Sequence, residues 1–139
     1  MKRTIVNLRY LALIALLGCS LAAPALAADI YVISHPGVSI AVEDVREIFL
    51  GEKQFAGPHK IVPVDNLAAQ GGFLSKVLHM DAASYYSAWA KKTFRDGIAP
   101  PILRSGGDAD VIRFVKGMPG AIGYVAVRPG DDVAIVAKY

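Results

Sequence analysis

From residue 29 onward, apolar positions along this chain switch repeatedly between unbroken short runs and helical spacing. Asp29-Ile-Tyr-Val-Ile-Ser34 is β-branched and aromatic, which predicts a buried strand stopped by His35-Pro36-Gly37. Val42, Val45, Ile48 and Phe49 then fall on one helical face. They predict a helix over 42–50, with Glu43 and Asp44 in the first turn, where they favour the helix dipole, and Gly51 at the end. A short strand is predicted over 61–64, with Pro63 marking an edge or bent position. Residues 73–79 suit a second helix. Asp81 can cap a third, in which Ala82, Tyr85, Tyr86, Trp89, Ala90 and Phe94 recur at three- and four-residue spacing until Asp96-Gly97 and Pro100-Pro101 end it. That aromatic stripe is expected to be core. A strand over 102–104, a helix over 108–116 burying Val111, Phe114 and Val115, and strands over 121–125 and 133–137 around the Arg128-Pro-Gly-Asp-Asp132 turn complete the pattern.

Alternation of this kind predicts an α/β domain of three layers, a mixed or mostly parallel sheet flanked by helices. In such sheets ligands bind beyond the carboxyl ends of strands, where loops and helix N-termini present free backbone N–H groups. Three places qualify: Ser34-His35 after the first strand, Asp65-Asn66 through Gln70-Gly71-Gly72 before the second helix, and Ser105-Gly106-Gly107-Asp108 before the fourth. The last offers the best anion-binding geometry, because two glycines let N–H groups approach a ligand and Ser105 adds a hydroxyl. A glycine-rich turn with Ser105 or Asp108 as a helix cap is the competing reading.

Residues 1–27 change what composition implies. Lys2, Arg3 and Arg9 precede an apolar run from Tyr10 to Ala22, and Ala25-Leu26-Ala27 has the small-x-small pattern of a cleavage site. The run falls short of the roughly 20 apolar residues of a membrane span. The expectation is a cleaved signal peptide over 1–27, one domain over 28–139 and a periplasmic location. Leu16-Leu17-Gly18-Cys19 offers the alternative of a lipoprotein anchored at Cys19. The whole chain has a net charge of +3, but without those three basic residues 12 basic face 12 acidic. No global field then argues for a nucleic-acid partner. Cys19 is the only cysteine, so the remaining domain has no disulfide and no thiol nucleophile.

Other chemistry finds little support in the pattern. His35, His59 and His79 share no ligand spacing, so no metal or other cofactor is expected. No nucleophile-elbow motif is present, and the chain is expected not to be an enzyme. Arg46, Lys53, Lys91, Lys92 and Arg95 are interleaved with Glu43, Glu47, Glu52 and Asp96, as on an ordinary solvated surface.

Two segments carry a family resemblance: Val42-Glu-Asp-Val-Arg-Glu-Ile-Phe-Leu-Gly51 and Met118-Pro-Gly-Ala-Ile-Gly-Tyr-Val125. In order and chemistry they resemble the phosphate-binding proteins of bacterial ABC transporters. The resemblance implies a periplasmic-binding-protein-like fold over nearly all of 28–139, equivalent to one of the family's two lobes. It also implies a solute-binding role toward phosphate or another small oxyanion, delivered to an ABC permease. Ser34, Asn66, Gln70, Gly71, Gly72, Ser105, Gly106 and Gly107 would be its neutral donors. Family members that hold phosphate usually place an arginine shortly before Ser-Gly-Thr. The corresponding stretch here, Asp65 to Phe73, lacks the arginine and both hydroxyl residues. The alternative is therefore a ligand-free periplasmic protein-interaction module, which docks another protein, or itself as a homodimer, on the face of the missing lobe.

Overall fold

The computed structural model describes residues 28–139, so the proposed signal peptide and Cys19 lie outside the described residues. Strand β1 spans Tyr31–Ser34, and a 3-10 turn at Val42–Asp44 leads into helix α1, Val45–Phe49. A hairpin of β2, Phe55–Ala56, and β3, His59–Lys60, precedes β4, Val62–Asn66. Helix α2, Gln70–Phe73, continues as a π-helical turn at Leu74–Leu78, and α3 covers Ala82–Asp96. The chain closes with β5, Ile102–Arg104, α4, Gly107–Gly117, β6, Ala121–Val125, and β7, Ala134–Lys138.

Five strands form one sheet in the order β5-β4-β6-β1-β7. β4 is parallel to both β5 and β6, while β1 runs against β6 and β7. Four strands therefore share one direction and β1 alone opposes them, a mixed and mostly parallel α/β sheet as predicted. Side chains on a strand alternate between faces, so a run buried on both sides must be apolar throughout. That is the case for β1 and β6. Val32, Ile122 and Tyr124 pack with α1, α2 and α3 through Ile48, Phe49, Phe73 and Trp89. Tyr31, Ile33, Ala121 and Val125 pack on the other side with Val111 and Val115 of α4. Helices thus cover both faces, and the three layers are present.

Local chemistry explains several boundaries. Asp81 caps α3 by accepting the Ser84 N–H at 2.7 Å, as the sequence predicted. The expected helix over 73–79 begins earlier, at Gln70, and ends at His79, which takes a left-handed conformation with φ 53°. The short hairpin was not foreseen, because its strands are two residues each and mostly exposed.

The aromatic stripe of α3 is only half core. Tyr85 and Trp89 are buried, but Tyr86 is 48% and Phe94 95% exposed. At about 100° per residue, Phe94 lies roughly 180° around the helix from Tyr85. Once Tyr85 faces the sheet, Phe94 must face solvent.

Both motif segments serve close packing. Gly120 has φ +84°, and a Cβ there would stand 2.2 Å from the Lys60 carbonyl oxygen. At Gly51, with φ +73°, a Cβ would stand 2.5 Å from the Trp89 ring. Neither obstacle can be relieved cheaply, since one is backbone and the other a buried ring. Gly120→Ala is therefore expected to destabilise the domain by more than about 1 kcal/mol. Gly130→Ala, where φ is ordinary and space is open, is expected to stay within about 0.5 kcal/mol of the parent. Urea unfolding of the two variants side by side checks the contrast.

Candidate functional site

The parallel strands β4, β5 and β6 end together at Asn66, Arg104 and Val125, and this lip of the sheet gathers most of the predicted residues. Asn66 terminates β4, Gln70 to Gly72 open α2, and Ser105 to Gly107 join β5 to α4. Ser34 is a correction. Because β1 is antiparallel, Ser34 pairs with Ile122 near the start of β6 and lies toward the opposite end of the sheet. It is 1% exposed and cannot share a ligand with the others.

Within the lip, the donors are largely committed to the chain's own carboxylates. Asp108, in the first turn of α4, accepts the backbone N–H of Ala126 at 3.1 Å, the N–H of Val127 at 3.0 Å and Asn66 Nδ2 at 2.8 Å. Asn66 Nδ2 also donates to the Tyr124 carbonyl, and its Oδ1 accepts from Ala68 N–H. The asparagine is fully buried and used as a brace between β4, β6 and α4. Asp108 was foreseen only as a helix cap; it reaches across to the amides that follow β6.

A second carboxylate holds the nearest cation. Arg104 places Nε 3.1 Å and Nη2 2.6 Å from Asp110, a bidentate pair. Gly106 N–H and Arg113 Nη2 donate to the same carboxylate. The Arg104 hydrogen bonds, then those of Arg113 and Gly106, hold the Asp110 carboxyl down at about 2 against the opposing effect of desolvation. Of the proposed donor loop, Gly106 is thus engaged, while Gly107, at φ +77°, has open space where a Cβ would point. Arg104 went unnoticed in the sequence as a site residue, although an arginine directly before Ser-Gly-Gly is a usable signal for anion chemistry.

Under the lip lies Asp65, 4% exposed. Tyr124 Oη donates to its Oδ1 at 3.0 Å and Tyr85 Oη to its Oδ2 at 2.9 Å. Burial raises the Asp65 pKa, opposed by the hydrogen bonds of the two phenols. Both phenols are pushed well above their usual range by burial and by the Asp65 charge, so they remain protonated donors. Gln70 is buried; its Oε1 accepts from Tyr86 Oη at 2.6 Å, and its Nε2 has no hydrogen-bond partner. Gly71 instead borders a shallow open groove with Ser75, His79, Asp81 and Ser84, whose walls include neither Asn66 nor Ser105.

No known protein family matches the chain, and neither does any curated protein. Among solved structures it is similar to a phosphate ABC transporter substrate-binding protein from Clostridium perfringens with bound phosphate, at TM-score 0.56 and 18% identity over 79% of this chain. An ABC-type phosphate transport receptor from Vibrio cholerae gives TM-score 0.47 at 12% identity, over 79% of this chain and 46% of that one. PstS from Borrelia burgdorferi gives 0.42 at 19%, over 70% and 41%. The Clostridium likeness shows a fold in common with that substrate-binding protein. The chain spans 45% of that protein's length.

Two consequences of the carboxylates are measurable. Tyr124→Phe keeps the ring but removes a donor to a buried charge, and is expected to cost about 1.5–3 kcal/mol in urea unfolding at neutral pH. Asp110 has a folded-state pKa below its ordinary 3.8. Its contribution is therefore present above the ordinary value and lost as pH falls through about 2. Asp110→Asn should lower the neutral-pH melting temperature and flatten the acid limb of stability across that window. The raised Asp65 pKa acts oppositely, stability being gained as pH falls through its folded value.

Proposed function

We propose that the chain is a non-catalytic lobe of the phosphate-type substrate-binding fold, placed outside the cytoplasm, that works by docking another protein of a solute-uptake system. On this reading it does not hold free phosphate by itself. The observation that carries it is Asp108 seated on the Ala126 and Val127 amides and on Asn66. The chain supplies its own oxyanion where an external one would be received. Two unit charges about 4 Å apart repel by about 4 kcal/mol at an effective dielectric near 20, roughly a thousandfold in affinity. The Arg104 guanidinium is held bidentate by Asp110, which also takes Arg113, so both cations are turned toward the chain's own carboxylate.

The extracytoplasmic placement rests on the targeting pattern of residues 1–27. Among the described residues no helix is long and apolar enough to cross a membrane.

A second reading, binding of phosphate or another small oxyanion for an ABC permease, is favoured by one feature. Ser105 and Gly106 are exposed and Gly107 is unobstructed at the start of an eleven-residue helix, so the lip retains approachable backbone N–H groups. Isothermal titration with phosphate, with sulfate as control, separates the two. The docking reading expects no saturable heat at about millimolar phosphate, and weak binding once Asp108→Ser removes the internal carboxylate. Micromolar binding by the unaltered protein would overturn it and establish the second reading. Light scattering on the same sample distinguishes self-association from a monomer that docks a different protein.

A further inference from the structure

Beyond the lip, α3 and the edge strand β5 flank an open groove of about 530 Å³. Its walls are almost entirely hydrocarbon and aromatic: Tyr85 and Trp89 lie toward the sheet, Tyr86 on the flank of α3, and Phe94 and Leu103 toward solvent. Asp65 is the one carboxylate on its lining, and no lysine, arginine or histidine lines it. Among the described residues, Asp65 makes no ion pair. Each carboxylate oxygen can accept about two hydrogen bonds, and each receives one phenol, so acceptor capacity remains. A neighbouring cavity of about 650 Å³ also touches Trp89, but Lys53, Lys60 and Asp96 share its lining and give it no single charge preference.

A buried carboxylate without a counter-cation, opening onto aromatic walls, is matched by a ligand that brings the positive charge. Aromatic rings attract cations through their quadrupole, and most strongly where water is excluded. The volume suits a small molecule, and one ionisable group on an apolar wall is the usual composition of such a site. We infer that the groove between α3 and β5 binds a small organic cation, an alkyl- or arylalkylammonium whose charge meets Asp65 and whose hydrocarbon lies against Tyr86, Phe94 and Leu103. This goes beyond the docking role and does not rest on it.

Trp89 is the only tryptophan of the chain and lines the groove, so its fluorescence reports occupancy directly. Titration with phenethylamine at neutral pH, where the amine is protonated, is compared with the neutral 2-phenylethanol. The amine is expected to saturate the fluorescence change with an affinity about tenfold above that of the alcohol. Asp65→Asn should abolish that preference. Phe94→Ala, at a side chain 95% exposed, leaves the fold intact and should weaken the amine about threefold. Equal affinity for amine and alcohol, or no saturation by either, would overturn the site. If Asp65→Asn fails to fold, the comparison of amine with alcohol in the unaltered protein and in Phe94→Ala still decides. Phosphate titration plays no part in this test, so a failure here leaves the docking proposal standing.

Discussion

A carboxylate with no counter-cation sits in the interior of this domain, and the placement of its neighbours follows from keeping that group hydrogen-bonded. Burying an ionised carboxylate unpaired is prohibitive, so Asp65 must be met by donors. They come from two different elements: Tyr85 on α3 and Tyr124 on β6. The same Tyr124 ring stacks on Phe73 with centroids 3.8 Å apart, and Phe73 meets Phe49 edge-on at 4.7 Å. Trp89, one turn beyond Tyr85, donates to the Phe49 carbonyl and links α3 to α1. Fixing Asp65 therefore fixes how α1, α2 and α3 sit on the sheet. With Tyr85 turned inward, Phe94 is forced outward, and the groove beside β5 is a geometric consequence.

Much of this fold was legible in the sequence, because the controlling signals were local. An unbroken apolar run marked β1 as a buried strand, residues 121–125 were read as a strand, and helical spacing marked α1 and α4. The two family-like segments were also readable, though their role was not. Gly51 and Gly120 are where another residue's ring or carbonyl passes, and Tyr124 is an anchor for Asp65. They encode packing, which is why they can report a fold without reporting a ligand. Phe94 was misplaced because four-residue spacing drifts around a helix, and a stripe read as one face wound onto the solvent side.

The candidate site was less legible, for two physical reasons. Strand direction decides which end of a strand faces a ligand, and the sequence of β1 does not declare that it opposes its neighbours. Ser34 was accordingly assigned to the wrong end. Long-range hydrogen bonds were the second obstacle: Asp108 meets amides eighteen and nineteen residues later, and Asn66 meets Asp108 across forty-two. No spacing rule reaches that far. Asn66, Gln70 and the Ser105 to Gly107 loop lie at one end of the sheet, yet the first two are buried, and Asn66 is already engaged on both its amide atoms.

The internal carboxylates alter what this lip can do. An oxyanion receptacle needs unmatched N–H groups or cations, and folding alone leaves such groups under-satisfied unless a ligand is present. Here Asp108 takes the Ala126 and Val127 amides, and Asp110 the Gly106 amide and the Arg104 guanidinium, so much of the lip is satisfied without a ligand. The reverse holds at Asp65, a buried carboxylate with no cation beside it and aromatic surroundings. If the domain discriminates small solutes by charge, the sign its geometry favours is therefore positive.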